Sequence, residues 1–239
     1  MTPDEHDRIT QAIQLWIDAK EVQGRRSQDN GNAQAGSRSQ VTGGLHLRGV
    51  NQLVVDEIRA TGATGLELRF DRNAVLPGWY RPSKAWDLLV LQHGRPILAV
   101  EYKSMAGSVG NNLNNRADEV FGIAEDARQA EINGILPSNL RRAYIYVLEV
   151  TPAVTRPVSI AQQVGRPDMI FHGASYFDRV TIMCKRMRDS GLYHLVWVIG
   201  VMHNPVRFAE PSAEVGWDRF KADLRAGFAH GDAMPVSSP

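Results

Sequence analysis

The chain has 239 residues, 43% hydrophobic and 22% charged, which is ordinary for a globular protein that buries a real core as one large domain or two small ones. It contains no apolar run long enough for a transmembrane helix, no basic-then-apolar start of the signal-peptide kind, and only one cysteine, Cys184, which excludes an internal disulfide and a zinc ribbon and leads us to expect a cytosolic, cytoplasmic protein. The net charge of +1 excludes a bulk electrostatic preference for nucleic acid, so any DNA binding must come from locally arranged cations.

Residues 5–22 carry Ile9, Ile13, Trp16 and Ile17 on one stripe, which predicts an amphipathic helix. Residues 23–44 are almost devoid of apolar side chains and predict a flexible polar loop. That loop is either a solvated linker or a segment that orders on DNA, with Arg25, Arg26 and Arg38 meeting phosphates. Val50, Leu53, Val54 and Ile58 predict a second helix over 47–61, and the alternation in Leu66-Glu67-Leu68-Arg69-Phe70 predicts a strand.

Residues 86–103 are two apolar, β-branched-rich runs around a Gly-containing turn, which predicts a β-hairpin. A loop at 104–115 is expected to lead into a helix over 116–132. A strand follows at 142–150, a Pro- and Gly-punctuated loop at 151–172, a helix at 175–189 and a strand at 192–201. A closing helix at 217–228 and a frayed tail at 229–239 complete the chain. Strands with helices on both sequence sides imply an α/β layer arrangement, and no internal repeat is visible, so 1–239 is expected to be a single domain.

The chemistry concentrates in the hairpin. Side chains alternate faces along a strand, so Glu101 and Lys103 point the same way, and the hairpin can bring Asp87 beside them. Two carboxylates at about 4 Å and an effective dielectric of about 20 repel by roughly 4 kcal/mol. A divalent cation between them reverses the sign, and hard oxygen ligands of this kind suit Mg²⁺. Lys103 could acidify an attacking water or stabilise charge on phosphorus; the plainer alternative is a structural salt bridge at a sheet edge.

Directly after Lys103, Gly107-Ser108-Val109-Gly110-Asn111-Asn112-Leu113-Asn114-Asn115-Arg116 is dense in Gly and Asn. Asn amides bond adenine in bidentate fashion, and Arg does the same for guanine. A turn-rich loop with one Asn as a helix cap is the alternative, but it explains one asparagine better than four.

Asp87 with Glu101-Tyr102-Lys103-Ser104 and the Gly/Asn block through Arg116 resembles the XhoI-type type II restriction endonucleases of the PD-(D/E)xK nuclease superfamily. One departure is Trp86, where the superfamily label has proline before the aspartate. The resemblance implies a restriction-endonuclease-like mixed central sheet flanked by helices. It also implies Asp87 and Glu101 as Mg²⁺ ligands, Lys103 as the catalytic lysine, and a 5′-CTCGAG-3′ target cut after the first C. A palindromic target implies a homodimer on double-stranded DNA, and a matching DNA methyltransferase to protect the host.

Many enzymes of the superfamily add an acidic residue from an upstream helix. Glu57 is the candidate, with Asp56 beside it and Glu67 as another option; an exposed helix carboxylate is the alternative. Asn111, Asn112, Asn114, Asn115 and Arg116 are expected to read bases. Lys185, with Arg186 and Arg188, either meets phosphate or simply favours a helix C-terminus. His172 and His203 are expected to be structural and not metal ligands, and Tyr144 and Tyr146 to be core, while Arg156, Arg166 and His172 of the 151–172 loop could supply further base contacts. The competing functions are a repair or structure-specific nuclease, a non-catalytic DNA-binding protein, and a metal-dependent hydrolase of small molecules.

Overall fold

A computed structural model describes residues 1–29, 47–107 and 109–229. The chain divides into two compact units, Met1–Ala63 with His203–Phe208, and Thr64–Met202 with Ala209–Pro239.

The first unit is built on α1 (Pro3–Asp29) and α2 (Arg48–Ala60). The helical spacing of Ile9, Ile13, Trp16 and Ile17 on α1 and of Val50, Leu53, Val54 and Ile58 on α2 gives each helix one apolar stripe, and all of these residues are buried. Arg8 joins Asp56 at 2.6 Å at the partly exposed margin. The helix α1 runs on through Asp29, so Arg25 and Arg26 belong to its last turns and not to the expected polar loop. Composition misled here because Gln and Arg are poor core formers but good helix formers. Arg38 and the rest of the expected loop from residue 30 lie outside the described residues, as does the expected tail from 230.

The second unit holds β1 (Leu66–Phe70), β2 (Val75–Leu76), β3 (Lys84–Ala85), β4 (Leu88–Gln92), β5 (Arg95–Met105), α3 (Val109–Ile132), β6 (Arg141–Glu149), α4 (Pro152–Thr155), α5 (Tyr176–Asp189), β7 (Leu195–Met202) and α6 (Trp217–Ala229). With the short edge strand β8 (Arg207–Ala209), the main sheet has six strands in the order β1-β4-β5-β6-β7-β8, while β2 and β3 pair as a separate ribbon. β1, β4 and β5 are antiparallel, and β5, β6 and β7 are parallel, so the sheet is mixed, with helices between the parallel strands. The expected α/β class and mixed sheet are both present.

The β4–β5 hairpin turns at His93 and Gly94, between the paired Gln92 and Arg95. Their φ angles are 49° and 77°, the positive values of a two-residue turn matched to strand twist, and glycine supplies the second at no steric cost. β6 is buried from Arg142 to Leu148, as expected of a strand covered on both faces. Tyr144 and Tyr146 are fully buried and belong to the core, with ring centroids 5.8 Å apart. Cys184 is buried in the same core.

The largest departure from expectation is α3. The expected loop at 104–115 ends early, because the helix begins at Val109. Val109, Leu113, Val120 and Ala124 recur at helical spacing and are buried, and their packing outweighs the modest helix propensity of Gly and Asn. Gly110 has a separate reason: a Cβ there would come within 2.4 Å of Tyr176 Oη on α5, so a larger residue would have to displace that ring.

Candidate active site

Asp87 sits immediately before β4, and its N–H donates to Val100 O of β5 at 3.1 Å. The neighbouring pair is Leu88 with Val100, so the register places Asp87 beside Glu101 at the same end of the hairpin. The Tyr102 N–H donates to Asp87 Oδ2 at 2.7 Å and fixes that carboxylate. Glu101 and Lys103 point to one face, as their spacing predicts, and Lys103 Nζ lies 2.8 Å from Glu101 Oε1. The structure therefore brings Asp87, Glu101 and Lys103 together. Behind them, Glu101 and Lys103 pair in register with the buried Tyr144 and Tyr146 of β6.

Two further residues join this group that the sequence did not single out. Lys84 Nζ of β3 lies 3.0 Å from Glu101 Oε2. Glu119 of α3 accepts from Lys103 Nζ at 2.8 Å and from Arg116 Nη1 at 2.7 Å. Cations and carboxylates thus alternate from Arg116 through Glu119, Lys103 and Glu101 to Lys84. The signal for Glu119 was its position three residues after Arg116 on one helix face. Lys84 had no sequence signal beyond lying three residues ahead of Asp87.

The electrostatics are uneven along this chain. Glu101 is 2% exposed and sits between two ammonium groups. Burial opposes the charge on Lys103, but Glu101 and Glu119 outweigh it and hold the ammonium above its ordinary pKa. Burial likewise opposes the charge on Glu119, and Lys103 and Arg116 more than offset it, so that carboxyl is held below the usual range. Asp87 differs. Burial and then the Glu101 charge push its carboxyl up to about 7, against the pull of the Tyr102 N–H, Lys103 and Lys84. Among the described residues Asp87 makes no ion pair. A buried carboxylate beside a second one, with no ion pair of its own among the described residues, fits a hard divalent cation.

Among the described residues no three His, Cys, Asp or Glu side chains gather as a metal-binding group, so the Asp87–Glu101 pair has no third carboxylate or imidazole in it. Glu57 is buried on α2 in the first unit, where an exposed helix carboxylate was the plainer expectation. Glu67 pairs with Arg69 at 2.7 Å on β1, and Asp56 with Arg8.

The asparagine block is helical. Asn112, Asn114 and Asn115 are exposed on the first turns of α3, Asn111 is on the same turns with a side chain outside the described residues, and Arg116 is half-buried against Glu119. Lys185 on α5 pairs with Glu214, and Arg186 with Asp168 at 2.5 Å. His172 is exposed, and the rings of His203 and Trp16 meet edge-on at 6.5 Å.

A family model described as restriction endonuclease XhoI matches residues 26–211. The chain is 34% identical over 193 residues to type II restriction enzyme XhoI of Xanthomonas vasicola, spanning 77% of this chain and 75% of the relative. It is 33% identical over 163 residues to type II restriction enzyme BstVI of Geobacillus stearothermophilus, spanning 64% of this chain and 71% of that one. It is 36% identical over 125 residues to type II restriction enzyme AbrI of Azospirillum brasilense, spanning 52% of this chain and 56% of that one. No solved structure matches the chain. Asp87, Glu101, Lys103 and all of α3 fall inside the matched residues, and the chain belongs to the XhoI family of type II restriction endonucleases.

Proposed function

We propose that the protein is a homodimeric endonuclease that cuts both strands of 5′-CTCGAG-3′ after the first C, with Mg²⁺ held by Asp87 and Glu101. One observation carries the chemistry: two carboxylates and a lysine converge at one end of the β4–β5 hairpin, with Lys103 Nζ 2.8 Å from both Glu101 and Glu119. When bound, the cation supplies Lewis acidity toward the phosphodiester and its attacking water. The Tyr102 N–H orients Asp87 for that role. Two carboxylates face the Lys103 ammonium. Its part is electrostatic stabilisation of the charge that develops on the phosphate. Glu119 and Arg116 hold Lys103 in place from α3.

The outward asparagines, Asn112, Asn114 and Asn115, with Asn111 and Arg116, read base edges in this proposal. α3 joins this reading face to the lysine through Glu119. Arg25, Arg26, Arg38 and Lys185 contribute phosphate contacts, which position the enzyme without specifying sequence. A palindrome has two-fold symmetry, and a two-fold dimer brings one site to each strand. A cytoplasmic location and a partner methyltransferase follow from the same reading; among the described residues no helix is long and apolar enough to cross a membrane.

The test is digestion of a plasmid with a single CTCGAG, in Mg²⁺ and then in EDTA, with sequencing of the ends. Cutting in Mg²⁺ alone, with 5′ overhangs starting after the first C, is the expected result. Ends at another sequence would overturn the target, and cutting in EDTA would overturn the metal requirement.

A further inference from the structure

Lys84 is held more closely than a surface lysine. Its side chain is 18% exposed, its Nζ lies 3.0 Å from Glu101 Oε2, and it also donates to the carbonyl of Ala85. The ammonium stands 5.3 Å from the centroid of the Trp86 ring, an attractive cation–π arrangement. Trp86 is 2% exposed, so its ring is held by burial, and its backbone N–H donates to Ala74 O at 2.8 Å. The ribbon fixes the other end of the side chain, because Lys84 pairs in register with Leu76. A carboxylate, a carbonyl and an aromatic face therefore define one seat for this ammonium. The tryptophan that precedes Asp87, where the superfamily label has proline, thereby gains a role.

The seat lies on one oxygen of Glu101. Glu101 has Lys103 on Oε1 and Lys84 on Oε2. A divalent ion shared with Asp87 must approach the same carboxylate, where it meets the positive charge of Lys84 at short range. We propose that Lys84, seated on Trp86, is a built-in counter-cation that contends with the divalent ion for Glu101 and sets how tightly the site takes metal. This rests on the reading of Asp87 and Glu101 as metal ligands. Lys84 is a positioning residue here: it acts on the metal through Glu101.

The experiment is Mn²⁺ binding to the intact protein without DNA, measured by calorimetry or by the loss of free-ion electron paramagnetic resonance signal. Lys84→Met keeps the apolar stem on Trp86 and removes the charge. It should bind Mn²⁺ about tenfold more tightly than the parent, because one charge-assisted competitor is gone. Lys84→Arg keeps the charge and should stay near the parent value, and Glu101→Gln should lose binding. Lys84→Ala serves as a second variant should the methionine protein not fold, and circular dichroism melts establish folding for each. A folded Lys84→Met protein with unchanged or weaker Mn²⁺ affinity, while Glu101→Gln still loses binding, overturns the role of Lys84 and leaves the metal reading standing. Equal Mn²⁺ binding by the parent and Glu101→Gln overturns both.

Discussion

Charge ties α3 to the sheet at two places, near its C-terminus and at its middle, and the two are built to different rules. Toward the C-terminal end, Arg142 of β6 is 1% exposed and donates to Glu131, to Leu192 O at 2.8 Å and to Gly191 O at 3.2 Å. Burial pulls the guanidinium down and pushes the Glu131 carboxyl up, so desolvation offsets much of what the pairing gains. The result is a closed fitting, with the donors spent inside the protein. At mid-helix, Glu119 and Lys103 make the corresponding link, but the cluster continues to Glu101 and stops short of Asp87. Asp87 accepts one main-chain N–H and pairs with no cation among the described residues. A structural pair neutralises itself; this site leaves a carboxylate in need of positive charge. The difference separates a fastener from a candidate reaction centre, although both are half-buried ion clusters on one helix.

The contrast can be broken at either end. Arg142→Met should strand Glu131 in the interior and cost about 3–5 kcal/mol of stability, read from the denaturant midpoint. Cleavage per folded molecule should be retained. Asn112→Ala or Asn115→Ala should cost about 1–3 kcal/mol of base discrimination with little change in stability, measured by binding to cognate and single-mismatch duplexes in Ca²⁺. Equal weakening on every sequence would reassign these asparagines to phosphate contacts.

The closed end should also respond to acid. His194 Nδ1 accepts from the Arg142 N–H at 3.0 Å, and burial, then the charges of Arg142 and Arg141, lower its pKa to about 4. Its unfolded value is higher, so the unfolded chain binds more protons between the two values. The stabilisation is complete above about pH 6.5 and is lost as the pH falls toward 4. After discounting for partial exposure, the loss is on the order of 1–2 kcal/mol, and His194→Gln should flatten that part of the stability–pH curve. The smallest effect is expected at α1, where Arg26→Ala should reduce the salt slope of DNA binding by about one.

Much of the candidate site was legible in the chain because a hairpin converts sequence spacing into proximity. The period of two placed Glu101 and Lys103 on one face, while the register begun at His93-Gly94 shifts by one residue between Val90 and Leu91, and that shift, which the sequence did not signal, brings Asp87 opposite Glu101. Lys84 was not legible, since its strand is only two residues long and its ribbon carries no periodic signal. Glu119 was signalled only by its spacing from Arg116 on the same helix, because its other partner, Lys103, lies on β5. The start of α3 was misplaced because local composition favoured a loop, whereas tertiary packing of Val109 and Leu113 decided the outcome.

The most direct measurement compares cleavage with binding in Lys103→Ala on a duplex carrying one CTCGAG. Cleavage in Mg²⁺ should fall by at least about a thousandfold, while specific binding in Ca²⁺ stays within a few-fold of the parent. Cleavage at the parent rate, or loss of binding and cleavage together in a folded protein, would contradict a reaction centre built on this lysine.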